Sequence, residues 1–475
     1  MKKKNKKRKI NFMKILSLFL FLVVALFLLF LYILNILSLK LNILITIILL
    51  IILVIIIFFI NDNRVKDSIK KKSIIFSIII ILILGFVDWN IFKTLSFFTN
   101  ITSNNSEVIN YSVVTLLDSD LKKVKNLKEQ SVGYYNIDSK DNYKLKVNVN
   151  YVPYADINKL YLALFNKKVS AIIIEDSLKA LAEENNENYI TKTKVLHKFY
   201  IEEKSTAVAK EIDVTKKPFN IYMSGIDTYG SIASVSRSDV NILITINPNT
   251  HKILLTAIPR DYYVKLHSKN GYRDKLTHAG IYGVDESIST IEDLLGIDIN
   301  YYAKVNFTSV IDIVDALGGV TAYSERSFTS VDGQQFQKGN INMNGEKALA
   351  FARERYAFGD GDRQRGRNQE ALIKALVEKA TSPAILLKYD TLLTKMQSKI
   401  ETNIPQKVIL SLIKMQLSNN VKWEIENNNV DGSNSFQYTY SYPHQKLYVM
   451  LPDEKNLEKV KNNINIMLGE VNEGI

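Results

Sequence analysis

The sequence predicts an α/β protein with a three-helix N-terminal membrane anchor, a small α/β accessory domain, and an α/β/α domain with a central mixed sheet. Three observations lead to this prediction. Three apolar segments lie within the first 98 residues, and strand and helix patterns alternate from about residue 111. A charged stretch without an apolar face, from Glu202 to Pro218, separates two such regions.

The domain boundaries follow from these changes in composition. We expect a basic tail and three transmembrane helices over 1–98 and a polar linker over 99–110. The accessory domain is expected over 111–210, and the larger domain over 217–475.

The three apolar segments differ in how clearly their length and composition indicate a membrane span. Residues 15–37 and 41–60 are each long enough to cross a bilayer, and neither has the polar face of a soluble helix. The third segment, Ser73 to about Phe92, has a shorter apolar run that ends at Asp88 and Trp89. We expect it to span, with an interfacial or re-entrant helix as the alternative.

The positive charge is concentrated at the N-terminus. Residues 1–72 contain 14 Lys and Arg and two acidic residues, which gives +12 of the total charge of +13. The positive-inside rule then predicts a multi-pass protein of the cell membrane whose N-terminus and loop 61–72 are cytoplasmic and whose larger domain is extracytoplasmic. The nearly neutral remainder excludes a basic nucleic-acid-binding surface.

Several classes of chemistry are excluded by missing residues. The chain has no cysteine, which rules out disulfide scaffolds, zinc ribbons and thiol enzymes. The sequence also lacks the nucleophile motif GxSxG and the zinc motif HExxH. In the accessory region a buried strand over 169–176 and a helix over 177–187 are predicted, but no chemical motif is present.

The larger domain begins with a strand at 219–225, followed by strands at 239–248 and 251–261 that form a hairpin. A turn centred between Pro248 and Asn249 would place Arg237 opposite Arg260, with Asp239 diagonal to Arg260 on the same face. The later elements alternate: helices are expected at 286–296, 306–317, 345–355 and 364–380, and short strands near 301–305 and Val320.

Arginine is unevenly distributed. The chain has 50 Lys and 11 Arg, yet nine of the arginines lie between Arg237 and Arg367. The guanidinium is a planar, always-charged fork that matches phosphate oxygens. Five arginines flank a Gly-rich loop and the next helix N-terminus: Arg353, Arg355, Arg363, Arg365 and Arg367. This pattern predicts a phosphate or pyrophosphate clamp, and the alternative is a surface ion-pair network with Glu354, Asp360, Asp362 and Glu370.

Six ordered motifs identify a family resemblance. They are SGID (224–227), SRSDVNILITINP (236–248), TAIPRDYYV (256–264), DKLTHAGIYGV (274–284), NFTSVIDIVDALGGV (306–320) and ARERYAFGDGDRQRGRNQ (352–369). Together they resemble the LytR–CpsA–Psr family of cell-envelope proteins, with a motif core over 217–380. Three spans and an accessory domain resemble its capsule-associated branch. One departure is visible, because Gly283 is followed by Val284 where the family has a second glycine.

The resemblance implies an enzyme that moves a glycopolymer, such as a capsular polysaccharide or teichoic acid, from undecaprenyl pyrophosphate to peptidoglycan. It implies catalytic roles for Arg237, Arg260, Arg353 and Arg355, and pyrophosphate contacts for these four with Lys275, Arg365 and Gln369. It also implies Mg²⁺, replaceable by Mn²⁺, on Asp227 and Asp239. The expected partners are the lipid-linked glycan, peptidoglycan and the lipid bilayer, with no nucleic acid. A polyprenyl-pyrophosphate phosphatase and a non-enzymatic envelope regulator are the alternatives.

Overall fold

The computed structural model describes residues 2–34, 37, 39–103, 106–135, 145–205, 207–226, 232–382, 395–396, 399–419 and 422–470. The chain divides into two compact units. The first contains residues 1–100, 389–394 and 405–422, and the second contains the rest of the chain.

The first unit contains three long apolar helices: α1 (Lys2–Leu34), α2 (Leu39–Asn61) and α3 (Asp67–Ser103). All three are long and apolar enough to cross a membrane, over Phe12–Leu34, Leu39–Asn61 and Asp67–Asn100. The third helix is therefore much longer than the segment that the apolar run predicted. A shorter helix near the C-terminus, Gln406–Asn419, also groups with this unit.

The second unit begins with the accessory domain. Its elements, in chain order, are β1 (Ser106–Leu116), β2 (Ser131–Tyr135), β3 (Asn150–Tyr154), α4 (Ile157–Phe165), β4 (Ala171–Glu175), α5 (Asp176–Asn185), α6 (Glu187–Thr191) and β5 (Thr193–Lys204). The sheet order is β3-β2-β4-β1-β5. The linker predicted over 99–110 is wrong where the structure describes it, because α3 continues to Ser103 and β1 starts at Ser106. Ser106, Glu107 and Asn110 are polar because this end of β1 is only partly buried.

The larger domain is built on a six-stranded mixed sheet. In chain order its strands are β6 (Phe219–Ile226), β7 (Ser238–Asn247), β8 (Lys252–Ala257), β11 (Tyr301–Asn306), β16 (Glu401–Thr402) and β17 (Glu424–Asn427), and their order in the sheet is β16-β11-β6-β7-β8-β17. Short pairs lie outside this sheet: β9 (Tyr263–Lys265) with β10 (Arg273–Lys275), β12 (Val320–Ser324) with β15 (Gly339–Met343), β13 (Phe328–Thr329) with β14 (Gln335–Phe336), and β18 (Gly432–Gln437) with β19 (Leu447–Pro452).

Helices cover both faces of this sheet. They are α7 (Leu276–Ala279), α8 (Val284–Leu295), α9 (Phe307–Ala316), α10 (Gly345–Arg353), α11 (Asp362–Ala380) and α13 (Glu454–Leu468). The label α12 is given to Gln406–Asn419, the helix that groups with the first unit. Leu243 and Leu254 pack with α8 and α13, whereas their neighbours Ile242 and Leu255 pack with Ile373 of α11. This alternation is the two-residue period of a strand buried on both faces, and it produces the predicted α/β/α arrangement.

The β7–β8 hairpin has a different register from the predicted one. Asn247 pairs with Lys252, so the loop contains four residues and Asp239, not Arg237, is aligned with Arg260. The Asn247 side chain accepts hydrogen bonds from the backbone N–H groups of Asn249 and Thr250, and His251 has φ +57°. This local capping lengthens the loop beyond the turn that Pro248 and Asn249 indicated.

The accessory domain is joined to the larger domain through β1. Val108 forms two backbone hydrogen bonds with the segment before β7, to Ala233 (2.7 Å) and from Val235 (2.9 Å). The Glu107 carboxylate accepts the N–H of Val284, the first residue of α8, at 2.8 Å. Gly283 has φ +101°, and a Cβ there would collide with Glu107. The position that departs from the family's Gly-Gly pair is thus the start of a helix capped by the accessory domain.

A buried ion pair lies between two strands of the large sheet. The Lys304 ammonium is 3.0 Å from the Glu401 carboxylate, and both side chains are at most 3% exposed. Tyr302 donates a hydrogen bond to the same carboxylate. Burial raises the pKa of Glu401, against the opposing effect of Lys304. Neither charge has water to stabilise it if its partner is lost.

We therefore predict that Lys304→Met lowers the free energy of unfolding by about 3–5 kcal/mol, because it leaves Glu401 buried and uncompensated. The double variant Lys304→Met/Glu401→Leu should recover most of this loss. The control is Lys399→Met, which breaks a pair of the same length with Asp312 in which both side chains are 31% exposed. It should cost about 1 kcal/mol or less in denaturant-unfolding experiments. Equal losses for the two single variants would contradict the prediction.

Candidate active site

Two adjoining cavities open at one end of the large sheet, where β6, β8 and β11 end and β7 begins. Cavity A, of about 210 Å³, lies beside the end of β8 and the start of α11. Cavity B, of about 240 Å³, lies beside the ends of β6 and β11. Both are lined by Asp239, Arg260, Arg365 and Gln369. Crevices at the carboxyl ends of strands are common ligand sites in open α/β sheets.

Cavity B collects five arginines and one apolar wall. The arginines are Arg237, Arg260, Arg353, Arg355 and Arg365. The wall includes Val240, Val305, Phe307, Val310 and Leu349. The cavity thus offers a cationic region and an apolar region side by side, which suits an amphipathic anion.

Arg260 is held by two carboxylates. Its guanidinium is 2.5 Å from Asp239 and 3.8 Å from Asp261. Asp239 also accepts a hydrogen bond from the Thr277 hydroxyl at 3.0 Å. Burial opposes the charge on Arg260, but Asp239 and Asp261 outweigh it and raise its pKa. The guanidinium therefore stays charged and oriented at the cavity wall.

Arg365 is the most deeply placed of the five arginines. It lies in the first turn of α11, is 7% exposed, and is 3.2 Å from the carboxylate of Asp362. Burial lowers its pKa, and Asp362 opposes that effect. Because the guanidinium is charged at any ordinary pH, an anion entering the cavity would find a poorly hydrated cation there.

Two carboxyl groups lie beside these arginines. Asp261 and Asp362 are close enough for each to influence the pKa of the other. Burial alone would raise the pKa of Asp261, but Lys275 at 2.9 Å and Arg260 lower it to about 2. Burial and the charge of Asp261 raise the pKa of Asp362. Asp362 is therefore the member that takes up a proton more readily.

Arg353 and Arg355 are held by aromatic rings at the end of α10 and just beyond it. The Arg353 guanidinium lies 4.0 Å from the centre of the Phe307 ring, and that of Arg355 lies 4.6 Å from the ring of Tyr356. Cation–π contacts orient a guanidinium without neutralising it. Both charges thus remain available to an anion.

Arg237 contacts Glu184, a residue of the site that the sequence did not indicate. Its guanidinium donates a hydrogen bond to the carboxylate of Glu184, on helix α5 of the accessory domain. Glu184 lines cavity B together with the arginines. The accessory domain therefore supplies one side chain to this cavity. No motif surrounds Glu184, so only the packing of the two domains could have identified it.

Other predicted residues are placed differently. Lys275 is not among the residues that line cavities A and B. Its ammonium group instead pairs with the carboxylate of Asp261 at 2.9 Å. Arg363 and Arg367 both line cavity A. Arg363 pairs with Asp431, and Arg367 pairs with Glu325 and Asp360. Of these partners, only Asp360 belongs to the ion-pair network that was the alternative to a clamp. Gln369 lines both cavities and donates a hydrogen bond to the carbonyl of Ala352.

The predicted metal ligands are only partly described. Asp227 lies outside the described residues. Within the part of the chain that is described, no group of three or more His, Cys, Asp or Glu side chains could hold a metal. Magnesium needs only one or two protein carboxylates when phosphate oxygens complete its shell. Asp239 faces both cavities, and each of its oxygens has a second lone pair, so its chemistry fits such a site.

Comparison with known proteins identifies the family. The model of the LytR_cpsA_psr family matches residues 181–465, more than half of the chain. The chain belongs to the LytR–CpsA–Psr family. Because the match begins at 181, it includes the end of α5 with Glu184.

The similar proteins of this family include named transferases. The chain is 37% identical over 213 residues to "Polyisoprenyl-teichoic acid--peptidoglycan teichoic acid transferase TagU" of Bacillus cereus, which covers 44% of this chain and 69% of that protein. The protein of the same name from Bacillus subtilis is 34% identical over 204 residues, covering 42% of this chain and 65% of that protein. The crystal structure of B. subtilis TagV is 31% identical, covers 54% of this chain and 98% of that one, and has a TM-score of 0.45.

The contact between Glu184 and Arg237 generates a prediction. Glu184→Gln should bind inorganic pyrophosphate about three- to tenfold more tightly than the wild type, because an anion no longer competes with a carboxylate for Arg237. Isothermal titration calorimetry on the detergent-solubilised chain would measure the dissociation constants. The matched control is Glu183→Gln on the same helix, where the carboxylate pairs with Lys179. Weaker binding by Glu184→Gln would show instead that Glu184 holds Arg237 in its binding position.

Proposed function

We propose that this chain is a phosphotransferase that moves a glycopolymer from an undecaprenyl-pyrophosphate carrier to a hydroxyl group of peptidoglycan. The observation that carries the proposal is the convergence of five arginines beside an apolar wall in cavity B. A polyprenyl pyrophosphate is both strongly anionic and strongly apolar, so it needs both features in one place. The names of the similar transferases support the same reaction.

In this proposal the arginines stabilise charge on the pyrophosphate. Arg260 and Arg365 are already oriented by Asp239 and Asp362, so they need little rearrangement when the phosphate charge shifts. Arg353 and Arg355 complete the clamp, and the apolar wall accepts the start of the polyprenyl chain. The peptidoglycan oxygen attacks the phosphorus that carries the glycan, and undecaprenyl phosphate leaves.

Magnesium belongs to this proposal through the family resemblance and the chemistry of Asp239. Asp239 and Asp227 would hold the ion. When bound, it would offset negative charge on the phosphates. The chain's own part is to keep Asp239 turned toward the cavities, which the Thr277 hydroxyl and the Arg260 guanidinium do.

The cellular setting is a further part of the proposal. The charge of +12 on residues 1–72 supports a cytoplasmic N-terminus and an extracytoplasmic larger domain, which protease treatment of intact protoplasts tests. Three spanning helices together with an accessory domain support the capsule-associated branch of the family. In that case the glycopolymer is a capsular polysaccharide, although the similar proteins named above act on teichoic acid.

The deciding experiment is incubation of the full chain with a lipid-pyrophosphate glycan and peptidoglycan, followed by mass measurement of the products. Transfer yields a glycan phosphate on peptidoglycan together with undecaprenyl phosphate. A phosphatase would use water as the acceptor and leave the peptidoglycan unmodified. A non-enzymatic regulator would leave the lipid-pyrophosphate glycan intact.

The arginine clamp predicts that Arg260→Ala, Arg353→Ala, Arg355→Ala and Arg365→Ala each lower the transfer rate by about 10²–10³, the usual cost of one lost group that stabilises developing charge. Lysine substitutions should recover little, because an ammonium cannot form the bidentate fork. Arg64→Ala is the control, since that arginine is 87% exposed and pairs with Asp62 in the α2–α3 loop. Circular dichroism would verify folding. Full activity of all four lysine variants would mean that positive charge alone is enough.

The metal assignment predicts that EDTA abolishes transfer by the wild type and that magnesium or manganese restores it. Asp239→Asn should lose both the activity and the electron paramagnetic resonance signal of bound Mn²⁺. Binding of Mn²⁺ is measured without turnover, so it separates loss of the ion from misplacement of Arg260. Full wild-type activity in EDTA would contradict the assignment and leave Asp239 as the ion-pair partner of Arg260.

A further inference from the structure

A third cavity adjoins the candidate active site. Cavity C, of about 340 Å³, shares Arg355 and Tyr356 with cavity B, and Asp362 and Arg363 with cavity A. Asp261 also lines it. Cavity C thus reaches the carboxyl groups of Asp261 and Asp362 from the side of the loop between α10 and α11. The proposed reaction assigns no substrate to this opening.

An exposed strip of aromatic residues runs from cavity C along β18 and the residues that follow it. Asn434 and Phe436 lie on one face of β18, because they are two residues apart in a strand. Beyond the strand, Tyr438 and Tyr440 are also exposed, on either side of the buried Thr439. Phe436 is 62% exposed and Tyr438 is 54% exposed. Large aromatic side chains in a row on a surface commonly mark a binding site.

The strip is continuous with cavity C. In the β18–β19 pair Phe436 lies opposite Tyr448, and the two rings are 6.0 Å apart. The Tyr448 hydroxyl donates a hydrogen bond to the amide oxygen of Asn434 at 2.9 Å, and both residues line the cavity. Phe436, Tyr448 and Asn434 therefore form one surface that leads from the exposed strand to the carboxyl pair.

We propose that this strip, defined as Asn434, Phe436, Tyr438, Tyr440 and Tyr448, binds the acceptor glycan and directs one of its hydroxyl groups into cavity C. The inference rests on the proposed function. A sugar ring has a C–H face that stacks on aromatic rings and hydroxyl groups that bond to amides and phenols at its edge. Phe, Tyr and Asn side chains supply both kinds of contact.

The geometry of phosphoryl transfer supports a separate entrance for the acceptor. The attacking and leaving oxygens lie roughly in line on opposite sides of the phosphorus. If the lipid phosphate leaves on the apolar side, in cavity B, the acceptor oxygen must approach from another opening. Cavity C meets this requirement, because it shares Arg355 with cavity B but none of the residues of the apolar wall.

The carboxyl groups of Asp261 and Asp362 provide a place for the proton that the acceptor hydroxyl group loses. As the acceptor oxygen forms its bond to phosphorus, the bond from that phosphorus to the bridging oxygen breaks, and its electron pair leaves with undecaprenyl phosphate. The hydroxyl proton passes to Asp362, on the floor of cavity C. Burial and Asp261 raise the pKa of Asp362, so it is a better base than an ordinary carboxylate.

The test uses the full chain with a lipid-pyrophosphate glycan donor and soluble peptidoglycan oligosaccharides as acceptors. Phe436→Ala and Asn434→Ala should each raise the acceptor KM on the order of tenfold and change the donor KM less than twofold. Tyr200→Ala and Tyr323→Ala are matched controls, being 62% and 51% exposed on β5 and β12, away from the strip. Both should retain wild-type values.

A binding measurement without donor distinguishes glycan binding by the strip from the transfer reaction. Saturation-transfer NMR with the same oligosaccharides, without donor, should show contacts in the wild type that weaken in Phe436→Ala. If the wild type binds the oligosaccharides through the strip but transfers nothing, the proposed transfer fails and the glycan site stands. Transfer with an unchanged acceptor KM in both variants would overturn the inference. Weaker binding of Phe436→Ala to anionic lipid vesicles, with no change in acceptor KM, would also overturn it and assign the strip to the membrane.

Discussion

Like-charge repulsion among the clustered arginines is the constraint on which the site depends. Before any phosphate arrives, the positive charges must be balanced by groups that an incoming anion can replace or share. The structure meets this need with at least one carboxylate for each of three arginines: Asp239 and Asp261 for Arg260, Asp362 for Arg365 and Glu184 for Arg237. Arg353 and Arg355 lie against aromatic rings instead. The cluster is therefore stable when empty and keeps two charges available for the substrate.

The accessory domain takes part in this balance. It caps α8 through Glu107, extends the backbone pairing to the segment before Arg237 through Val108, and places Glu184 against the Arg237 guanidinium. Because carboxylate and phosphate compete for the same guanidinium, any movement of α5 changes the affinity of the cavity for an anion. The accessory domain has no chemical motif of its own, but its contact with Arg237 can influence how cavity B binds an anion.

The sequence predicted the elements of the larger domain well because their apolar periods are strong. The helices α8 to α11 begin within two residues of the predicted positions. The hairpin register was wrong, since it depended on the side chain of Asn247 and on His251 in a left-handed conformation, which no periodicity reveals. The clustering of arginine in the sequence pointed to the region where cavities A and B lie. The ion-pair partners of the arginines could not be read from the sequence: Arg363 and Arg367 line cavity A, but they pair with Asp431 and Glu325.

Arg365 and Asp362 both lie in the first turn of helix α11, which therefore supplies the site with a buried cation and a mostly buried carboxylate. A rigid helix start fixes both side chains, and buried charges cannot relax toward solvent when the charge of the substrate changes. The same burial raises the pKa of Asp362, which a mobile surface carboxylate would not show. One desolvated turn thus creates a cation that favours phosphate on the side of cavity B and a carboxylate that favours a proton on the side of cavity C. A transfer between two substrates needs both, because the donor gains negative charge at its leaving oxygen while the acceptor loses a proton.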